Sequence, residues 1–121
     1  MQPERPDLKY ICDMLEYART VIDLTNGVTL AAYEADMHRR LAVERAIEII
    51  GEAARRVTPE FQEQHAEVAW SAIIATRHIL AHEYGDIQHD KVWRIATFHV
   101  PMLVTLLQPI LDANPPEPGA A

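Results

Sequence analysis

The stretch Arg77-His78-Ile79-Leu80-Ala81-His82-Glu83-Tyr84 places a guanidinium, two imidazoles and a phenol close together in the chain. On a helix, Trp70, Ile74, Arg77, Ala81 and Tyr84 recur at alternating spacings of four and three, which stacks them on one side. An arginine inside such an apolar stripe is either paired with a carboxylate of a neighbouring helix or pointed into a polar cavity, because an unpaired guanidinium is costly to bury. Spacing alone favours the salt bridge. Ser71, Ala75, His78 and His82 form the adjacent stripe, small and polar. Histidines one turn apart can ligate zinc, but a zinc site needs a third or fourth ligand and the pattern His-Glu-x-x-His is absent. Neither Glu83 nor His89 completes it, so no metal and no cofactor is expected, and the pair reads as hydrogen-bonding residues.

The elements that must position these residues are helical throughout. Leu8, Ile11, Leu15, Ala18 and Ile22 predict an amphipathic helix over about 7–25, closed by Asn26-Gly27. A longer pattern through Leu30, Tyr33, Met37 and Leu41, then Val43, Ile47, Ile50, Ala54 and Val57, predicts one helix whose stripe shifts midway. Thr58-Pro59 ends it, since proline disfavours helical geometry in the residue before it while fitting the first turn of a new helix, here a short one around Phe61. A third main helix is expected over 68–84 with Gly85 as its cap. A fourth, over 89–111, carries Val92, Ile95, His99, Met102, Leu106 and Ile110 and is kinked by Pro101. No alternating strand pattern or internal repeat occurs. The expected fold is all-α, an up-and-down bundle of four main helices plus a short one, with residues 1–113 as the domain and 114–121 as a disordered tail.

At 121 residues there is room for one core. Hydrophobic residues make up 49% and charged residues 24%, values of a soluble globular chain, and no uncharged apolar run of bilayer-spanning length is expected. The N-terminus lacks the basic start and apolar stretch of a secretory signal, which points to the cytoplasm. The single cysteine, Cys12, reads as a small buried hydrophobe. A net charge of −7 excludes a broad electrostatic grip on nucleic acid, so any RNA contact must be local. The arginines at 39, 40, 45, 55 and 56 are interspersed with Glu44, Glu48 and Glu52 and read mostly as solvated helix faces.

Arg77, four intervening residues, His82, one residue and Tyr84, with the polar His78 directly after the arginine, resemble the signature of HepT toxins. These belong to the HEPN superfamily of helical ribonucleases. Ile49-Ile50-Gly51-Glu52-Ala53-Ala54 is similar to that family's "IGEA" stretch, and Trp70 and Val92-Trp93 fall where the family carries such residues. The resemblance runs from about Leu8 to Leu111. It gives a reason for Gly51, which otherwise costs ~1 kcal/mol relative to alanine within a helix: a close approach of two helices.

The resemblance implies a metal-independent endoribonuclease toxin with Arg77 and His82 as catalytic residues. His78 and, less directly, Glu52 would be supporting ones. Cleavage needs a base for the 2′-hydroxyl, an acid for the leaving 5′-oxygen and positive charge against the transition state. Histidine titrates near ~6.5 and arginine stays charged, so the pair can supply these and leave a 2′,3′-cyclic phosphate. Residues five apart on a regular helix are separated by roughly 140° around its axis, so the two cannot converge unless the helix loosens before Gly85 or a two-fold dimer assembles one cleft from two chains. The family resemblance favours the homodimer. It also implies control by an MntA-type nucleotidyltransferase antitoxin that adds AMP to Tyr84. The alternative is a noncatalytic helical partner of a nucleotidyltransferase, binding a nucleotide or serving for dimerisation, with Arg77 buried against a carboxylate.

Overall fold

The computed structural model describes residues 5–82 and 88–114. Its helices are α1 (Arg5–Thr25), α2 (Leu30–Ala35), α3 (Met37–Arg56), α4 (Pro59–Gln64), α5 (Trp70–His82), α6 (His89–Arg94) and α7 (Val100–Asp112), the last two joined by a π-helical turn, Ile95–His99. No strand occurs among the described residues, so the all-α expectation holds. The proposed tail beyond residue 114, the cap Gly85 and Tyr84 lie outside the described residues.

Helix α3 is the centre of the bundle, packed on α1 along one side and α5 along another, while α7 packs on α1. The stripe read for α1 is buried at Leu8, Ile11, Leu15 and Ala18, joined by Met14 and Val21, and Gly27 ends the helix region at φ 74°. That conformation is open to glycine without the steric cost a side chain brings. At the other end Asp7 is 3% exposed, and its carboxylate accepts from the Thr58 amide and hydroxyl, both at 2.8 Å. Thr58 in turn caps α4, accepting from the Phe61 amide at 3.3 Å, so the break read at Thr58-Pro59 also ties α1 to the α3–α4 corner.

Two expectations about the helices are corrected. The single helix over 30–57 is two, because Asp36 leaves helical geometry (φ −110°, ψ 91°) and uses its side chain to accept from the Arg39 amide, capping α3. Tyr33 is fully buried there, whereas Leu30, Met37 and Leu41 are exposed and only the second half of the stripe, from Val43 to Val57, enters the core. The fourth helix is not merely kinked at Pro101. Proline cannot donate to the carbonyl of Thr97, and the preceding turn widens so that the Val100 amide bonds to the Ile95 carbonyl. The extra residue rotates everything after it: the buried side is Val92, Ala96, Val100, Leu103, Leu107 and Ile110. The predicted stripe of Ile95, His99, Met102 and Leu106 instead lines an open apolar groove of about 310 Å3 that also includes Ile47, Ile50 and Ile73.

The stretch His89–Asp112 is long and apolar enough to cross a bilayer by length and composition, contrary to the sequence expectation. Its two apolar sides, one in the core against α1 and one along the groove, account for that composition. Cys12 is exposed rather than buried, since it falls on α1 between the core positions Ile11 and Met14 but off their side.

Candidate active site

Arg77 is presented by α5 and Glu52 by α3, beside a close approach of the two helices. Gly51 makes the approach: a Cβ there would stand 3.0 Å from Arg77 Cγ and 3.0 Å from the Ile73 carbonyl oxygen, and closer still to Arg77 Cβ. The glycine read from the sequence as a close-approach residue is therefore one, and the side chain it admits is the arginine of the motif. Arg77 Nη2 stands 3.3 Å from Glu52 Oε2, with 29% and 30% of the two side chains exposed. Arg77 is neither sealed in the core nor free: one edge pairs with the carboxylate, Nε is enclosed with no acceptor among the described residues, and part of the fork stays open to solvent.

Glu52 has two further partners. Arg55 donates to it at 2.8 Å and 3.4 Å and Arg56 at 3.2 Å, so three guanidinium groups surround one carboxylate. The Arg55 hydrogen bonds hold the Glu52 carboxyl below its ordinary pKa against the opposing effect of burial, helped by the charges of Arg55, Arg77 and Arg56. A carboxyl lowered in this way is ionised at neutral pH, and its pairing is lost only as pH falls below the usual carboxylate range. The cluster leaves a surplus of positive charge on an acidic chain, at the place where the motif arginine emerges. Reading Arg55 and Arg56 as plain solvated residues missed this, although their positions three and four after Glu52 are the spacing at which helical charges meet.

Along α5, Trp70 and Leu80 are buried and Ile73, Ile74 and Arg77 half-buried, whereas Ser71, Ala75 and His78 are exposed. Up to Leu80, which joins the buried side, the described residues follow the apolar and polar stripes; the side chains of Ala81, His82 and Tyr84 lie outside the described residues. Trp70 is fixed by its indole N–H, which donates to the His65 carbonyl at 3.0 Å. His78 lies on the exposed side. His82 is the last described residue of α5; its side chain, like Tyr84, lies outside what the structure describes. Because α5 is regular from Trp70 to His82, positions 77 and 82 remain roughly 140° apart around it. One of the two ways of bringing them together, a loosened helix, does not occur up to His82. Among the described residues no group of three His, Cys, Asp or Glu side chains is arranged to hold a metal ion.

A model of the ribonuclease HepT-like family matches residues 14–110, which takes in the Gly51 crossing, the whole of α5 and most of α7. The chain belongs to the HepT-like ribonuclease family. A candidate RNase of Methanocaldococcus jannaschii is 35% identical over 94 residues, 78% of this chain and 86% of that protein. A candidate RNase of Caldanaerobacter subterraneus is 31% identical over 112 residues, 93% of this chain and 97% of its own. A candidate ribonuclease HepT of Thermococcus cleftensis is 27% identical over 100 residues, covering 83% and 91%. No solved structure matches the chain. In HepT-like terms, the geometry puts the motif arginine and the glutamate of the Gly51-Glu52 pair in direct contact across two helices.

Proposed function

We propose that this HepT-like protein is a metal-independent endoribonuclease, the toxin of a toxin–antitoxin pair, with Arg77 and His82 as its catalytic residues. The observation that carries the reading is the Arg77–Glu52 contact at the Gly51 crossing, with part of the guanidinium left open. Glu52 fixes one edge of the fork, and the rest can meet a phosphate with two donors and offset the charge that builds up in the transition state. His82 supplies proton transfer near neutral pH. His78, one residue from Arg77 on the exposed side, is a supporting phosphate or positioning contact.

A homodimer completes the site in this reading, since a regular α5 cannot bring both residues to one phosphate. Exposed apolar side chains support it: Ile79 on α5 is 49% exposed, Met102 on the apolar groove 51% and Phe98 52%. Mixing Arg77→Ala and His82→Ala proteins tests both claims together. If each site takes its arginine from one chain and its histidine from the other, mixed dimers regain RNA cleavage that neither variant has alone. A mixture as inactive as its components would reject the shared site.

Control is assigned to Tyr84, adenylylated by an MntA-type nucleotidyltransferase antitoxin in the cytoplasm. Tyr84 stands seven residues after Arg77 in the sequence, and an AMP phosphate on it would compete for the arginine while its adenosine blocks access of RNA. The Glu52 pair also favours a second reading, a noncatalytic helical partner of a nucleotidyltransferase, because an arginine engaged by a carboxylate can be purely structural. The two differ in one result: the noncatalytic partner leaves RNA intact.

A further inference from the structure

From Val68 to Thr76 and again from Ile95 to Leu111 the chain carries no Asp, Glu, Lys or Arg, although these residues make up 24% of it. The fold brings the two uncharged stretches to one place. Ala72, Ile73 and Thr76 of α5 and Met102 and Leu106 of α7 line the same apolar groove of about 310 Å3, to which α3 adds Ile50. The other side of each stretch is used by the core, at Trp70 on α5 and at Val100, Leu103 and Leu107 on α7. The groove side is open, with Ala72 exposed and Met102 51% exposed. Contiguous apolar surface of this kind is unfavourable in water and marks a place of association.

Charge decides what can cover it. A partner of opposite charge is recognised through charged side chains around the apolar centre, and neither helix wall of this groove supplies them. A second copy carries the same net charge of −7, so two copies repel wherever their charged surfaces meet and close most readily through a face that has no charge. The titratable groups lining the groove are His99, whose neutral imidazole tolerates burial, and Glu67, which is 49% exposed and within 3.7 Å of His65. Other exposed apolar side chains lack this setting: Met37 and Leu41, 55% and 57% exposed, flank His38, Arg39 and Arg40 on α3. The face also borders the candidate site, since Thr76 in the groove wall directly precedes Arg77.

We propose that the uncharged face of α5 and α7 is a self-interface, covered by the same face of a second copy across a two-fold axis. The face follows from charge and exposure alone. The sharing of Arg77 and His82 across it rests on the ribonuclease reading, to which it adds the surface that joins the two chains.

The test is light scattering of the full chain at micromolar concentration, without RNA. The wild type should show twice the chain mass. Ala72→Glu on the α5 wall and Met102→Glu on the α7 wall bury unpaired like charges in the interface and should each halve that mass, with the far-UV circular dichroism kept because both positions are open to solvent in the single chain. Leu41→Glu, equally exposed but outside the face, should stay dimeric. Added salt should tighten the wild-type dimer, since it screens the net repulsion and finds no interfacial ion pair to weaken. A wild type of single-chain mass, dimeric Ala72→Glu and Met102→Glu proteins, a monomeric Leu41→Glu protein, or a dimer loosened by salt overturns the face. Cleavage is read separately. A folded, monomeric Met102→Glu protein that cuts RNA like the wild type supports the face and rejects the shared site, and a dimer disrupted as expected in a protein that cleaves nothing supports the face and rejects the ribonuclease reading.

Discussion

Replacing Gly51 by alanine tests the close approach of α3 and α5. The added Cβ would lie 3.0 Å from both Arg77 Cγ and the Ile73 carbonyl oxygen, with Arg77 Cβ nearer still. Carbon atoms settle at about 3.5–4.0 Å, and the obstruction is backbone and the root of a side chain, so α5 must withdraw by roughly an ångström. Overpacking of this kind costs about 1–3 kcal/mol, and the better helix propensity of alanine returns up to ~1 kcal/mol. The expected net loss is about 1–2 kcal/mol, a fall in Tm of about 4–8 °C for a chain of this size. The same withdrawal lengthens the 3.3 Å Arg77–Glu52 separation past the ~4 Å at which an ion pair still counts, so RNA cleavage should drop with stability. Urea denaturation reads the first effect and initial cleavage rates the second. A Gly51→Ala protein as stable as the wild type or more so, as at an open helix position, would refute the argument.

Three further substitutions probe other parts of the account. Glu44 is pushed above its ordinary pKa by burial, opposed by the nearby His89 and Arg40, so its ionised form weakens the fold at neutral pH; Glu44→Gln should raise Tm at pH 7, and the gain should vanish as pH falls to where the wild-type carboxyl is itself protonated. A lower Tm at pH 7 would show that the 3.8 Å His89–Glu44 pair outweighs burial. Asp7→Ala removes a charged acceptor from two Thr58 donors and should cost about 2–3 kcal/mol in urea denaturation; a loss within experimental error would mean that α1 is not anchored there. If Tyr84 is adenylylated as proposed, Tyr84→Phe should lose the adenylyl mass added on coexpression with an MntA-type nucleotidyltransferase and should escape neutralisation, whereas full neutralisation of the variant would reject adenylylation at Tyr84.

The sequence was most legible where one residue had one structural use. Asn26-Gly27 and Thr58-Pro59 mark breaks that any chain must take at such residues, and Gly51 within a helix called for a close neighbour. It was least legible where the deciding event was an interaction away from the residue. Asp36 lies in a stretch whose apolar spacing continues across it, and only its capping of Arg39 divides α2 from α3. The π turn before Pro101 adds one residue to the helix and exchanges the core side for the groove side, which no fixed period of 3.6 can register. At the candidate site the pairing of Arg55 and Arg56 with Glu52 was readable from their spacing on one helix, but not that Glu52 would be the carboxylate that meets Arg77, since that depends on where α5 crosses α3.

The most direct test of the central claim is cleavage of a defined RNA in excess chelator, compared with the same RNA carrying a 2′-deoxy residue at the cleaved position, by the wild type, Arg77→Ala and His82→Ala. The account predicts that the wild type cuts the first RNA to a 2′,3′-cyclic phosphate and spares the second, and that both variants are inactive. Cleavage of the deoxy-substituted RNA, a requirement for added metal, or full activity in either variant would contradict it.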